Sequence, residues 1–246
     1  MANRVAVISD VHANLAALEA VLAAIDAEGV DELWCLGDTV GYGPRPNECC
    51  RVVQERATLC LVGNHDLVAL GSAGVDVAEF NPEAAAAARW TAAALDAHAR
   101  AFLESLRPAA RRAGTALFHA SARDPVWEYV LTAEAALATF AATDEPLVLV
   151  GHSHVALALA QDGASVSGDV APAGTHVELD PVRRLLNPGS VGQPRDGDPR
   201  AAWLLLDLAG RFAAFHRVPY SIHETQREMR ERGLPPSLAD RLALGH

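Results

Sequence analysis

The chain has 246 residues, half of them hydrophobic, which suits one globular α/β domain spanning residues 1–246. Its net charge is −11, all 20 basic residues are arginine, and neither half carries a dense basic stripe. A P-loop lysine, a Schiff-base lysine and a Ser–Lys dyad are therefore excluded, and a polymeric nucleic-acid substrate is disfavoured.

No apolar run approaches the ~20 residues needed to cross a bilayer, and the stretch from Met1 to Asp10 is too short for a signal peptide. A cytoplasmic protein with no membrane partner is expected. Cys35, Cys49, Cys50 and Cys60 show neither C-x-x-C spacing nor the density of a disulfide scaffold, so they read as buried or spectator thiols.

In chain order, Arg4 to Ser9 predicts a strand and Asn14 to Glu28 a helix ending before Gly29. Strands follow at Glu32 to Leu36 and Thr58 to Val62, with a helix near Asn47 to Arg56 between them. Pro82 opens a single Ala-rich helical stretch to about Leu106, closed by Pro108. Gly114 to Phe118 reads as a strand, Thr132 to Thr143 as a helix and Leu147 to Val150 as a strand. Short strands then dominate, at Val155 to Gln161, His176 to Leu179, Arg184 to Leu186, Ala201 to Leu208 and Phe212 to Val218. The Gly, Ser, Pro and Ala-rich run from Asp162 to Thr175 reads as a loop, and Ser221 to Arg232 as a surface helix.

Five short motifs share one placement, just past the carboxyl end of a predicted strand, where open α/β sheets gather their ligands. They are Asp10-Val11-His12, Gly37-Asp38, Gly63-Asn64-His65-Asp66, His119 and Gly151-His152-Ser153-His154. Singly each has a plain structural reading: a helix cap for Asp10, a turn residue for Asp38 or Asn64, a satisfied strand-end histidine for His119. Asp96-Ala97-His98 also fits D-x-H, yet it falls inside the predicted helix and reads as a solvated face. The H-x-H at 152–154 points both rings to one side if extended, and sends them to different partners if turned.

Carboxylate, amide and imidazole donors without thiolate suit two divalent ions such as manganese, iron, zinc or nickel. Two such ions ~3.5–4 Å apart can hold a hydroxide between them and clamp both oxygens of an in-line displacement at phosphorus.

Together, the five motifs in this order resemble the calcineurin-like metallophosphoesterases: D-x-H, G-D, G-N-H-[DE], H, G-H-x-H. The run Asn187-Pro188-Gly189-Ser190-Val191-Gly192-Gln193-Pro194-Arg195 resembles the stretch that follows in the family's bacterial small-phosphodiesterase branch. The resemblance implies a four-layer α/β/β/α sandwich of two mixed β-sheets flanked by helices. It implies that Asp10, His12 and His154 hold one metal, that Asn64, His119 and His152 hold the other, and that Asp38 bridges them. It places His65 by the leaving group as a proton donor, and Asn64 near the substrate as well.

One departure from the family is informative. Protein phosphatases of the superfamily read G-D-x-x-D-R-G, whereas this chain reads Gly37-Asp38-Thr39-Val40-Gly41-Tyr42-Gly43. Gly41 replaces the Asp that would pair with His65, and Tyr42 replaces a phosphate-gripping Arg. Arg123 and Arg195, in loops, are candidates for gripping a phosphate oxygen or are solvent-exposed arginines. Trp127 and Tyr129 are candidates for stacking on a base or for core packing.

The expected activity is hydrolysis of a small phosphorylated substrate: a phosphodiester, a phosphomonoester or a nucleotide. A nuclease, a protein phosphatase and a non-catalytic scaffold that keeps the fold are the alternatives.

Overall fold

The computed structural model describes residues 3–72 and 75–246. Two mixed six-stranded sheets lie face to face, flanked by eight α-helices among the described residues. The four-layer sandwich implied by the motifs is the observed architecture.

The first sheet contains β1 (Arg4–Ile8), β2 (Glu32–Cys35), β3 (Leu59–Cys60), β9 (His176–Glu178), β11 (Ala201–Asp207) and β12 (Phe212–Val218), in the order β3-β2-β1-β11-β12-β9. The second contains β4 (Ala109–Arg112), β5 (Thr115–Phe118), β6 (Leu147–Leu149), β7 (Ala156–Asp162), β8 (Ser165–Val170) and β10 (Arg183–Pro188), in the order β4-β5-β6-β10-β7-β8. Strands β1, β2 and β3 run parallel, as do β5, β6 and β10. Six parallel strands thus discharge their carboxyl ends at one rim.

Side-chain alternation explains the layers. In β1, Val5 and Val7 face the second sheet, where they meet Leu117, Leu149 and Leu186, while Ala6 and Ile8 face the helices. In β11, Leu204 and Leu206 join the inter-sheet core, and Trp203 and Leu205 the outer one. Period-2 patterning with apolar residues on both faces is what a strand covered on both sides requires. The outer core of the first sheet includes α1 (Leu15–Glu28), α2 (Pro46–Arg56) and α5 (Ala97–Glu104). On the far side, α6 (Ala133–Ala141) packs Ala136 and Phe140 against Ala116, Val148 and Leu185. A satellite cluster joins α4 (Pro82–Ala94), α7 (Ile222–Glu231) and α8 (Pro236–Asp240) over Tyr42.

Two expectations are corrected. The stretch from Pro82 to Leu106 is two helices, because Leu95 turns extended and the Asp96 carboxylate caps the second by accepting from the Ala99 amide at 2.8 Å. Asp96 is therefore a helix cap, paired also with Arg51, and not part of a helix face; His98 is exposed on that helix. Within the run read as a loop, Ser165–Val170 is a strand paired with β7. Its polar, Gly-containing sequence hid the alternation, because an edge strand has little apolar surface to bury. Asn64, assigned by its motif to the ligand set, opens the helix α3 (Asn64–Leu70).

Candidate metal centre

The loops leaving β1, β2, β3, β5 and β6 converge on one rim and deliver Asp10, His12, Asp38, Asn64, His119, His152 and His154 to a single buried cluster. Two sets of ligand-type atoms, each mutually within 4.8 Å, share Asp38: Asp10, His12, Asp38 and His154 in one, and Asp38, His119 and His152 in the other. Asn64 joins the second set, its Oδ1 lying 3.1 Å from His119 Nε2.

The imidazoles are aimed from behind. His12 Nδ1 lies 3.1 Å from the Val40 carbonyl, His119 Nδ1 2.9 Å from that of Leu36, and His154 Nδ1 2.6 Å from that of Gln193. A carbonyl only accepts, so each Nδ1 carries the proton and each Nε2 presents a bare lone pair to the cluster. His152 is reversed: its Nε2 lies 3.1 Å from the Trp127 carbonyl, which leaves Nδ1 for the cluster.

The bare lone pairs then meet one another. His12 Nε2 and His154 Nε2 are 2.9 Å apart, and Asp10 Oδ1 is 3.4 Å from the latter. Asp38 Oδ2 lies 3.7 Å from His12 Nε2 and 3.6 Å from His119 Nε2. Asp10 Oδ1 and Asp38 Oδ2 are buried without a hydrogen-bond partner among the described residues. Acceptors crowding acceptors in the dry interior is costly unless a cation sits among them. Two nitrogens each ~2.0–2.1 Å from one ion and about 90° apart would be separated by about 2.9 Å, so the observed spacing fits adjacent ligands.

Electrostatics agree. Burial pushes Asp38 well above the usual carboxylate range and Asp10 to about 7. Burial likewise holds His12 and His154 well below the ordinary imidazole value, His119 at about 4 and His152 at about 3. A bound cation would reverse the first tendency by favouring the carboxylate, and neutral imidazoles are the ligating form.

The backbone is strained where it carries these groups. Asp10, His12, Asp38, His152 and His154 all have φ between +49° and +64°. Non-glycine residues seldom adopt this region, and each costs of order 1–3 kcal/mol. The left-handed turns at His152 and His154 settle the H-x-H geometry: the motif is turned, and its rings go to different ligand sets.

Strain persists because neighbours overdetermine it. The amides of Asp10, His12 and Ala13 donate to the carbonyls of Gly37, Asp38 and Thr39 at 3.0, 2.9 and 2.9 Å. Ser190 Oγ donates to the Asp10 carbonyl at 2.8 Å, and Asn187 Nδ2 to that of Gly151 at 2.7 Å. The end of β10 and the loop that follows it therefore clamp two ligand loops. Asp66, fully buried, accepts from the Val40 and Gly63 amides, both at 2.9 Å, and ties β2's loop to α3. Gly63 has no alternative here, since a Cβ would collide with the Asp38 carboxylate.

Beside the cluster opens a cavity of about 220 Å3, lined by Tyr42, Asn64, His65, Phe80, Trp127 and His152 together with Arg195 and Arg241. The His65 ring lies 4.3 Å from Tyr42 and 4.4 Å from Phe80 by centroid, and its Nδ1 has no partner among the described residues. A Cβ on Gly41 would sit 2.7 Å from that nitrogen, so the residue where protein phosphatases carry Asp is indeed beside His65. Tyr42 accepts from Arg195 Nη2 at 3.3 Å. Tyr129 is half exposed and stacks on His152 at 4.1 Å.

Arg123 is not brought to the cavity: it is more than half exposed and pairs with Glu128. Sequence reasoning missed Arg241, near the end of the chain, because nothing in its surroundings marks it. It also gave no role to Ser190 and Asn187, although the motif containing them was visible.

A sequence profile described as the calcineurin-like phosphoesterase superfamily domain matches residues 4–211. The chain belongs to that superfamily. An uncharacterized protein of Methanocaldococcus jannaschii is 36% identical over 247 residues, covering 98% of each chain. Among solved structures, a metallophosphoesterase from Sphaerobacter thermophilus is 45% identical with a TM-score of 0.90, each chain covered completely. A hypothetical protein from Pyrococcus horikoshii OT3, 20% identical with a TM-score of 0.80 over 99% of this chain and 98% of that one, shares the fold. This member of the superfamily thus has a buried Asp/His cluster that could bind metal. No helix among the described residues is long and apolar enough to cross a membrane.

Proposed function

We propose that this protein hydrolyses a phosphoester bond in a small molecule with two divalent cations, drawn from manganese, iron, zinc or nickel, in its buried cluster. Asp10, His12 and His154 would hold one and Asn64, His119 and His152 the other, with Asp38 between them. The observation that carries the reading is Asp38, shared by both ligand sets with an unpartnered buried oxygen. When bound, such ions screen phosphoryl charge and bring the pKa of a bound water down to ~7.

The remaining chemistry falls to the chain's own side chains. Arg195, oriented by Tyr42 and by Gln193 Oε1 at 2.9 Å, would fork onto a non-bridging phosphoryl oxygen. His65, held between Tyr42 and Phe80 at the cavity wall and kept neutral there by burial, would donate its ring N–H to the departing oxygen. Phe80 and Trp127, edge to face at 5.7 Å, would cover the organic part of the substrate and exclude water.

Metal analysis of the purified protein, joined to assays on bis(p-nitrophenyl) phosphate and p-nitrophenyl phosphate, tests this reading. Bound transition metal and chelator-sensitive release of p-nitrophenolate are expected, and the preferred ester assigns diester or monoester use. Stoichiometric metal without turnover across a broad ester panel would overturn it.

A further inference from the structure

Arg195 and Arg241 enter the cavity from different parts of the chain, one in the loop after β10 and the other in the 3-10 turn Arg241–Ala243 beyond α8. Neither has an Asp or Glu partner among the described residues. Arg195 donates to Tyr42 Oη and Gln193 Oε1 and leaves its buried Nε unpartnered, and Arg241 donates to the main-chain oxygen of His246. Most arginines elsewhere meet carboxylates, as in the pairs with Glu28, Glu228, Glu32, Asp198 and Asp180. In a protein of net charge −11, two half-buried guanidiniums with no Asp or Glu partner among the described residues thus meet in one cavity, whose lining there includes a single carboxylate, that of the exposed Glu79.

The two are also built to stay together. The Gly197 amide donates to the Gly245 carbonyl at 2.9 Å, fixing the terminal turn to the loop that carries Arg195. Leu242 beside Arg241 is buried in the cluster with Tyr42, Leu234 and Leu238. Burial, and then the charge of Arg195, pulls the Arg241 guanidinium below its ordinary value, as expected for two like charges held close.

We propose that Arg241 and Arg195 form a second-anion subsite, and that the natural substrate is a phosphoester carrying a second phosphate group. This rests on the phosphoesterase reading above: the reacting phosphate occupies the buried cluster within reach of Arg195, while the second phosphate sits between the other edge of the Arg195 guanidinium and Arg241. A phosphate of charge near −2 with several acceptor oxygens matches two planar forks better than a single carboxylate does. The aromatic wall of Phe80 and Trp127 lines the same cavity and would hold the segment joining the two phosphates.

Binding of two non-hydrolysable probes to the metal-replete full chain tests the subsite by calorimetry. One is propylphosphonate, the other propane-1,3-diphosphonate. The wild type should bind the diphosphonate about tenfold or more tighter, the worth of one charge-assisted contact pair. Arg241→Gln should bring the ratio to within about twofold of one, and Arg241→Lys should keep an intermediate ratio. A thermal melt alongside each titration identifies any variant that misfolds, and Arg241→Lys, which keeps charge and stem, then decides alone. A wild type that binds propylphosphonate with no diphosphonate preference, or a preference that survives Arg241→Gln, overturns the subsite and leaves the phosphoesterase reading standing. Binding of neither probe overturns both.

Discussion

Replacing Asp38 by Asn separates the needs of the fold from those of the cations. Oδ1 of Asp38 accepts the His65 amide at 2.9 Å, a bond the Asn oxygen can keep. Oδ2 is unpartnered and faces the bare Nε2 atoms of His12 and His119 at 3.7 and 3.6 Å, so an amide NH2 there turns opposed acceptors into a donor and two acceptors. Relief of one buried unsatisfied group contributes about 1–3 kcal/mol. In a chain of this size that corresponds to roughly 2–12 °C in melting temperature. In chelator, Asp38→Asn should therefore melt higher than the wild type. With metal at about 1,000 times its Kd the wild type gains about 4 kcal/mol, roughly 8–16 °C, and the variant loses most of that gain. Differential scanning calorimetry with and without chelator, paired with metal analysis, reads both effects. A variant less stable than wild type in chelator, or one that keeps the full metal-dependent gain, would refute the reasoning.

His65→Asn should leave metal content unchanged and lower kcat by about 10²–10⁴ on an alkyl ester, whose leaving oxygen needs a proton, with a much smaller loss on p-nitrophenyl esters; equal losses on both would argue against proton donation. Arg217→Ala should cost ~3–5 kcal/mol in urea unfolding, because Arg217 and Asp196 are each only 3% exposed and the carboxylate would stay buried without its counter-charge, keeping only the Ala156 amide as donor. His216, stacked on Trp203 at 4.2 Å, is held below the ordinary imidazole value by burial. The unfolded chain therefore binds a proton there before the folded one does, and stability falls as pH drops below about 6.5. In His216→Phe the melting temperature relative to wild type should rise between pH 7.5 and pH 5, and a flat difference would remove that assignment.

Strands and ligand loops were legible in the sequence because they depend on local signals. Alternation in Val5 to Ile8 and Leu204 to Leu206 specified two-sided burial, and each strand end announced its loop through a short polar motif. What escaped was set by distance in the chain. The break at Leu95 turns on one capping carboxylate inside an Ala-rich run, and β8 is a strand only because β7 offers it a ladder. Arg123 and Arg195 looked alike as loop arginines. Glu128, five residues on, claims the first, while Tyr42, 153 positions away, orients the second. Arg241 reaches the cavity because α7 and α8 fold back over Tyr42, a contact that no sequence window contains.

The cost of the site is distributed through the same network that builds it. Five candidate ligands sit in left-handed backbone, each adding of order 1–3 kcal/mol, a sum comparable to the whole stability of a typical domain. Such a cost is tolerable only if the loops cannot relax separately, and here they cannot. The Asp10 loop is hydrogen-bonded to the Asp38 loop and clamped by Ser190, while Asn187 holds the Gly151 turn. Loosening any one loop breaks bonds in another, so the ligands are positioned as a set. That is the property a multi-ligand cation cluster needs, and it explains why the segment from Asn187 to Arg195 belongs to the site although none of its side chains is a candidate ligand.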